Sequence, residues 1–197
     1  MIKACNRDRL SPMPAWRNDD SVPPLMDNEG VHRIYLITTG GTIEKEYSEQ
    51  LGTVHNSAAK IGQYLKQLRL PNDEIEVIPL MNKDSLEMTT EDRAGLVSEL
   101  AKLLPQGAPI VISHGTDTMV ETGLYLQNAF SDLDVPIILT GAMTPLGFEG
   151  SDGLQNLTES LFATQLLPPG VYVVIHGQVF PVGRVRKDRE LATFVTT

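Results

Sequence analysis

A single cysteine, a single tryptophan and four histidines stand among the 197 residues of this chain, and each scarcity closes a chemical route. Cys5 has no partner for an internal disulfide. His32, His55, His114 and His176 lack the paired spacing of metal ligands, so no metal is expected, and no Ser-His-Asp arrangement is evident. No apolar run approaches the ~20 residues that cross a bilayer. Met1-Ile2-Lys3-Ala4-Cys5-Asn6-Arg7 holds no apolar signal core. These absences favour the cytoplasm and no membrane partner. Lys and Arg total 16 against 25 Asp and Glu, a net charge of −9. A nucleic-acid partner needs clustered cations, and the stretch from Arg184 to Arg189 is small and interrupted by Asp188. Gly40-Gly41 lacks the remaining elements of a phosphate loop or dinucleotide fingerprint, so no cofactor is expected.

What the chain does have is a regular alternation of apolar runs and amphipathic stretches. Residues 1–32 are the exception: Pro12, Pro14, Pro23 and Pro24 lie among polar residues without a period, which predicts a flexible extension. From residue 33 to 197 one α/β domain is expected. Strands are predicted at Ile34–Thr38, Glu76–Leu80, Pro109–Ser113, Ile137–Thr140 and Tyr172–His176. A helix capped by Asn56 or Ser57 should run to about Leu68 with Ile61, Leu65 and Leu68 on one stripe. Thr89, three residues before Asp92, should open a second helix to about Leu104. Further helices are predicted over Met119–Phe130 and near Gly153–Gln165. Val179–Phe180 and Arg184–Lys187 are expected to close the chain as a β-hairpin, with Pro181 and Gly183 in the turn. Such alternation gives a mostly parallel sheet with helices on both faces, a Rossmann- or flavodoxin-like α/β fold.

Two strand ends carry hydroxyl groups. Ile34-Tyr35-Leu36-Ile37-Thr38 runs into Thr39-Gly40-Gly41-Thr42-Ile43, and Pro109-Ile110-Val111-Ile112-Ser113 runs into His114-Gly115-Thr116-Asp117-Thr118. In open α/β sheets ligands bind at the carboxyl ends of the strands, so Thr42, Thr116 and Asp117 are reactive candidates. On the residues alone, Thr42 is equally a capping residue, Tyr47 a surface tyrosine, Asp117 a helix N-cap and Lys187 an exposed strand lysine.

Together the two motifs, in this order and at this spacing, resemble the bacterial-type L-asparaginase family, and the resemblance runs from about Arg33 to the C-terminus. It implies an amidohydrolase that converts L-asparagine to L-aspartate and ammonia through an acyl-enzyme on a threonine. The family's first catalytic threonine falls on Thr42 and its lid tyrosine on Tyr47, in the polar stretch Glu44–Gly52. Its second threonine and partner aspartate fall on Thr116 and Asp117. Its lysine, ahead of an Ala-Thr-Phe, falls on Lys187, before Ala192-Thr193-Phe194. A threonine hydroxyl needs a neighbour to take its proton, and Arg184, Arg186 and Arg189 around Lys187 would favour a lysine able to do so. Substrate contacts are implied at Gly41, Ser85, Gly115, Asp117 and Ala142. Ser85 would hold the α-carboxylate, Asp117 the ammonium, and the main chain around Ala142 the side-chain amide. Leu86 stands where the family often has Gln or Ser. His114 reads as a structural hydrogen-bonding residue beneath its loop.

The chain stops at Thr197, where the family's smaller C-terminal domain usually follows, so either a natural short, single-domain form or a truncated product is expected, with weaker or looser substrate binding. Thr42-Ile43-Glu44-Lys45-Glu46-Tyr47 and Lys83-Asp84-Ser85-Leu86 also resemble short-form relatives. Three alternatives remain: a glutaminase, the amidase subunit of a tRNA-charging amidotransferase, and a non-catalytic amino-acid-binding module. The partners implied are a small-molecule amide and further copies of the chain, as a homodimer or larger.

Overall fold

Ile110-Val111-Ile112 and Ile137-Ile138-Leu139 are aliphatic at every position, which suits strands covered on both faces. A computed structural model describes residues 30–48, 53–56 and 60–197. In it these runs form β5 (Ile110–Ser113) and β6 (Pro136–Thr140), buried throughout, at the centre of a six-stranded sheet. The other strands are β1 (His32–Gly40), β4 (Asp73–Lys83), β7 (Gly170–Ile175) and β8 (Gln178–Pro181). Their order is β4-β1-β5-β6-β7-β8. The first five are parallel, and β8 runs antiparallel to β7. Ile37 faces Ile78 on one side and Ile112 on the other, and Ile112 faces Leu139.

The pleat divides each strand between two cores. Tyr35, Ile37, Ile110, Ile112, Ile137 and Leu139 pack with α2 (Thr90–Leu103) and α3 (Met119–Ala129). Ile34, Leu36, Val111 and Ile138 pack with Ile61 of α1 (Lys60–Leu65) and with Leu157 and Leu161 of α4 (Gly153–Ala163). The sheet therefore has helices on both faces, as the alternation predicts. α2 starts where its capping box places it: Thr89 Oγ1 accepts from the Asp92 N–H, and Asp92 Oδ2 accepts from the Thr89 N–H.

Two short ribbons stand apart from the sheet, β2 (Lys45–Ser48) with β3 (Thr53–Asn56) and β9 (Val185–Asp188) with β10 (Thr193–Thr196). The C-terminal hairpin thus has different partners from those the sequence suggests. Val179–Phe180 adds to the sheet through β7, and Lys187 pairs with Phe194. Phe180 and Phe194 are both buried in the same core, and each segment takes its own partner: β7 for Val179–Phe180 and β10 for the strand that carries Lys187. Asn56 ends β3 instead of capping a helix, and α1 begins at Lys60. The expected cap Ser57, residues 49–52 of the expected lid, and residues 1–29 of the expected extension lie outside the described residues.

His114 follows β5 and is completely buried. Its Nδ1 lies 2.7 Å from the Gly115 carbonyl, which accepts, and Nε2 has no partner. Burial pulls its pKa down from 6.5 to about 4; the Gly115 carbonyl opposes this and the Arg93 charge adds to it. The unfolded chain therefore takes up this proton first, and acidification from pH 6.5 towards 4 favours unfolding. His114→Asn should lack this share of the acid sensitivity, on the order of 3 kcal/mol. Urea midpoints at pH 7, 5 and 4 measure it; identical acid profiles for the two proteins would contradict the assignment.

Candidate active site

With β8 set aside, the chain visits the parallel strands in the flavodoxin-like order, second-first-third-fourth-fifth. From β1 it moves outward to β4 and then returns across β1 to β5. The loops after β1 and β5 therefore diverge over the topological switch point, where such sheets leave a crevice. The loop after β1 is Gly41-Thr42, and the loop after β5 is His114-Gly115-Thr116-Asp117.

The loops meet backbone to backbone. Gly41 has φ +83, and a Cβ there would lie 2.4 Å from the Gly115 backbone nitrogen. Such a φ strains any residue with a side chain, and nothing larger than hydrogen fits the gap. A Cβ on Gly115 would meet Ser85 Cβ and Oγ at 2.6 Å, and one on Gly141 would meet the His114 carbonyl oxygen at 2.3 Å. Four strand ends are thus gathered at one edge: β1 through Gly41, β4 through Ser85, β5 through Gly115 and β6 through Gly141. Thr42 lies half-buried at the start of a short 3-10 turn, next to Gly41. Ser85 is buried beside Gly115, and its carbonyl accepts from Thr118 Oγ1 at 2.8 Å.

Lys187 reaches this edge from β9. Its Nζ lies 2.7 Å from Thr116 Oγ1 and 3.1 Å from Asp117 Oδ1. The Lys187 side chain is only 17% exposed. Thr118, not Asp117, is the N-cap residue of α3, so the Asp117 carboxylate is left for cations. Arg189 Nη2 approaches the same Asp117 oxygen at 2.8 Å. Of the three expected arginines, then, Arg189 joins the cluster through Asp117, while Arg186 pairs with Asp188 at 3.3 Å. Thr116, Asp117 and Lys187 come from residues about seventy positions apart and meet in one group. Tyr47 lies on β2 opposite Val54; the placement of its side chain lies outside the described residues.

Ala142 is buried after β6, and the following main chain is held by Asp152. The Asp152 carboxylate accepts from the N–H groups of Met143 and Thr144, from Asn156 Nδ2 and from His176 Nε2. Burial works against its charge, but the Met143, Thr144 and His176 donors outweigh burial and hold the carboxyl below the usual aspartate range. Asn156 Nδ2 also donates to the Gly141 carbonyl. Sequence reasoning missed this support, although an acid immediately before a helix is a readable signal. It also missed Glu44, which sequence reading places in the lid. Glu44 is buried two residues from Thr42, and its Oε1 accepts from Ser113 Oγ at 2.7 Å, tying the turn after β1 to the end of β5. Among the described residues, no three His, Cys, Asp or Glu side chains converge as a metal site requires, and no helix is long and apolar enough to cross a membrane.

Burial pushes the Glu44 carboxyl up from 4.5, and the Ser113 hydroxyl and Gly40 backbone offset this only in part. The native state then holds this proton more tightly than the unfolded chain, so stability falls as pH rises from 4.5 through the native value. Glu44→Gln should be more stable than wild type at pH 7, with the difference shrinking towards pH 4. Thermal melts across that range measure it, and a destabilised variant at every pH would contradict it.

The model of the family described as "Asparaginase, N-terminal" matches residues 33–194. An L-asparaginase of Thermococcus kodakarensis is 30% identical over 159 residues, 81% of this chain and 48% of that protein. L-asparaginase 1 of Escherichia coli is 34% identical over 68% of this chain and 41% of its own. A glutamyl-tRNA(Gln) amidotransferase subunit of Methanococcus vannielii is 27% identical over 91% of this chain and 42% of its own. The solved structure of the thermostable T. kodakarensis L-asparaginase superposes with a TM-score of 0.77 at 29% identity, covering 83% of this chain and 51% of that one. The chain spans about half the length of the relatives it matches. Two threonine loops at the switch point of a flavodoxin-like sheet, with a family model running across nearly all the described residues, lead to one assignment: this chain belongs to the asparaginase family.

Proposed function

We propose that the chain is an amidohydrolase that releases ammonia from L-asparagine through an acyl-enzyme. The observation that carries this reading is the contact of Lys187 Nζ with both Thr116 Oγ1 and Asp117 Oδ1 beside the Gly41-Thr42 loop. A threonine becomes a nucleophile when a base takes its proton and a third group orients that base. In this reading Thr42 attacks the side-chain amide carbon, its hydroxyl proton passes by way of Tyr47 to the amide nitrogen, backbone N–H groups of the two threonine loops receive the oxyanion, and the C–N bond breaks to release ammonia. A water then passes a proton through Thr116 to Lys187, which Asp117 holds in place, and attacks the ester; the ester C–O bond breaks, aspartate leaves, and the proton returns to Thr42 Oγ1. Arg189 leaves Asp117 paired in whichever protonation state Lys187 holds. Ser85 and Asp117 take the α-carboxylate and α-ammonium, and the Gly41, Gly115 and Ala142 main chain takes the amide. The similar L-asparaginases support the substrate class, and the likeness to the solved structure of a probable cytoplasmic L-asparaginase of Campylobacter jejuni supports a cytoplasmic setting. Assembly into a homo-oligomer belongs to the same reading.

Glutamine is the second reading, favoured by 29% identity over 82% of the chain to a glutaminase-asparaginase of Acinetobacter glutaminasificans. Ammonia release from L-asparagine and L-glutamine by the purified chain separates the two. Thr42→Ala, Thr116→Ala and Lys187→Met should each lower asparagine turnover on the order of 10²–10⁴-fold, the range of a lost proton-transfer group. Full activity in Thr42→Ala would overturn the nucleophile, and tight asparagine binding by wild type without ammonia release would make the chain a binding module.

A further inference from the structure

The turn between β7 and β8 is two residues long, His176-Gly177, with φ +52 and +72. A hairpin turn with both φ values positive is the natural place for Asn-Gly or Gly-Gly. A histidine there costs about 1–2 kcal/mol of backbone strain, so its side chain must supply something a glycine would not. Three polar contacts surround it. Its N–H donates to Asn156 Oδ1 at 2.9 Å. Its Nε2 lies 2.8 Å from Asp152 Oδ2, and its Nδ1 lies 2.8 Å from Thr193 Oγ1. An ionised carboxylate only accepts, so Nε2 carries the hydrogen that Asp152 receives, and Nδ1 shares the remaining hydrogen bond with the Thr193 hydroxyl.

The two ends of this chain of hydrogen bonds lie in different parts of the site. Asp152 holds the N–H groups of Met143 and Thr144, the residues after Ala142. Thr193 opens β10, whose Phe194 pairs with Lys187 across the ribbon. Buried Val185 and Phe194 press the ribbon onto the core, but apolar packing resists small sliding and rotation poorly, whereas a directional hydrogen bond fixes both. The imidazole is long enough to join the α4 cap to β10.

We propose that His176 is a positioning residue that braces the Lys187 ribbon against the Ala142 loop through Thr193 and Asp152. The proposal rests on the reading above, in which Lys187 accepts a proton at Thr116. Deleting the brace leaves Asp152 and Asn156 on the Ala142 loop, so amide binding persists. It frees the ribbon that must hold Nζ at 2.7 Å from Thr116 Oγ1.

The test compares wild type, His176→Gly, Thr193→Val and Thr193→Ser, with Lys187→Met as reference. His176→Gly fits the turn without strain and keeps the fold. With L-asparagine, His176→Gly and Thr193→Val should lower kcat about tenfold to a hundredfold, the scale of a small misplacement of a catalytic group, while KM changes less than about threefold. Thr193→Ser keeps the hydroxyl and should recover wild-type kcat. Hydrogen exchange gives a readout independent of turnover: in His176→Gly the amides of 185–196 should exchange faster, while those of β1 and β5 should not. Unchanged exchange and unchanged kcat in His176→Gly would overturn the brace. Faster ribbon exchange with kcat no lower than wild type, or failure of Thr193→Ser to recover kcat, would overturn its positioning role. Wild-type activity in Lys187→Met would instead overturn the underlying reading, with exchange still reporting on the brace.

Discussion

The absence of a side chain at Gly41 is the constraint on which the site depends. With φ +83 and 2.4 Å between its hypothetical Cβ and the Gly115 nitrogen, it lets the loops after β1 and β5 touch through their main chains. Without that contact each threonine would sit at the end of its own strand, separated by a layer of side chains. The Gly115–Ser85 and Gly141–His114 approaches extend the same principle to β4 and β6. The sheet supplies rigid supports, its order supplies the crevice, and the missing side chains let four loops close over it. Rigid supports matter because proton transfer and attack tolerate displacements of only a fraction of an ångström.

Polar groups are buried beneath this arrangement at a cost in stability. His114 is held neutral by its burial, and the Glu44 carboxyl is buried with its Oε1 accepting from Ser113 Oγ. An apolar replacement would remove these penalties, but it would also remove the tie between the turn carrying Thr42 and the end of β5. The two groups titrate in opposite senses: acid destabilises through His114, and rising pH destabilises through Glu44. Asp152 differs from both, since four donors surround it and overcome its burial.

Much of the scaffold was legible in the sequence because it follows from local rules. Buried strands on both faces read as unbroken aliphatic runs, as at β5 and β6, and the Thr89–Asp92 box marks the start of α2 by chemistry confined to four residues. The partners of the last strands were not legible. Val179–Phe180 pairs with β7 and Lys187 with Phe194, and no local residue pattern marks either choice of partner. In the candidate site, Thr42, Thr116 and Asp117 were visible as hydroxyls and a carboxylate at strand ends. Lys187 emerged only through the family resemblance, because no local pattern marks a lysine about seventy residues from its partners. Glu44 and His176 were invisible for a related reason: a glutamate in a polar stretch and a histidine in a tight turn acquire roles only through burial and through neighbours brought by the fold.

The central claim is that a threonine beside the Gly41–Gly115 contact takes up the acyl group, which is then released through the Lys187, Thr116 and Asp117 cluster. Rapid quenching of Lys187→Met with L-asparagine, followed by peptide mass mapping, tests it most directly, because blocking the second step should let the intermediate accumulate. The account predicts an aspartyl ester on Thr42. An ester on Thr116 alone, or prompt aspartate release with no ester at any quench time, would contradict it.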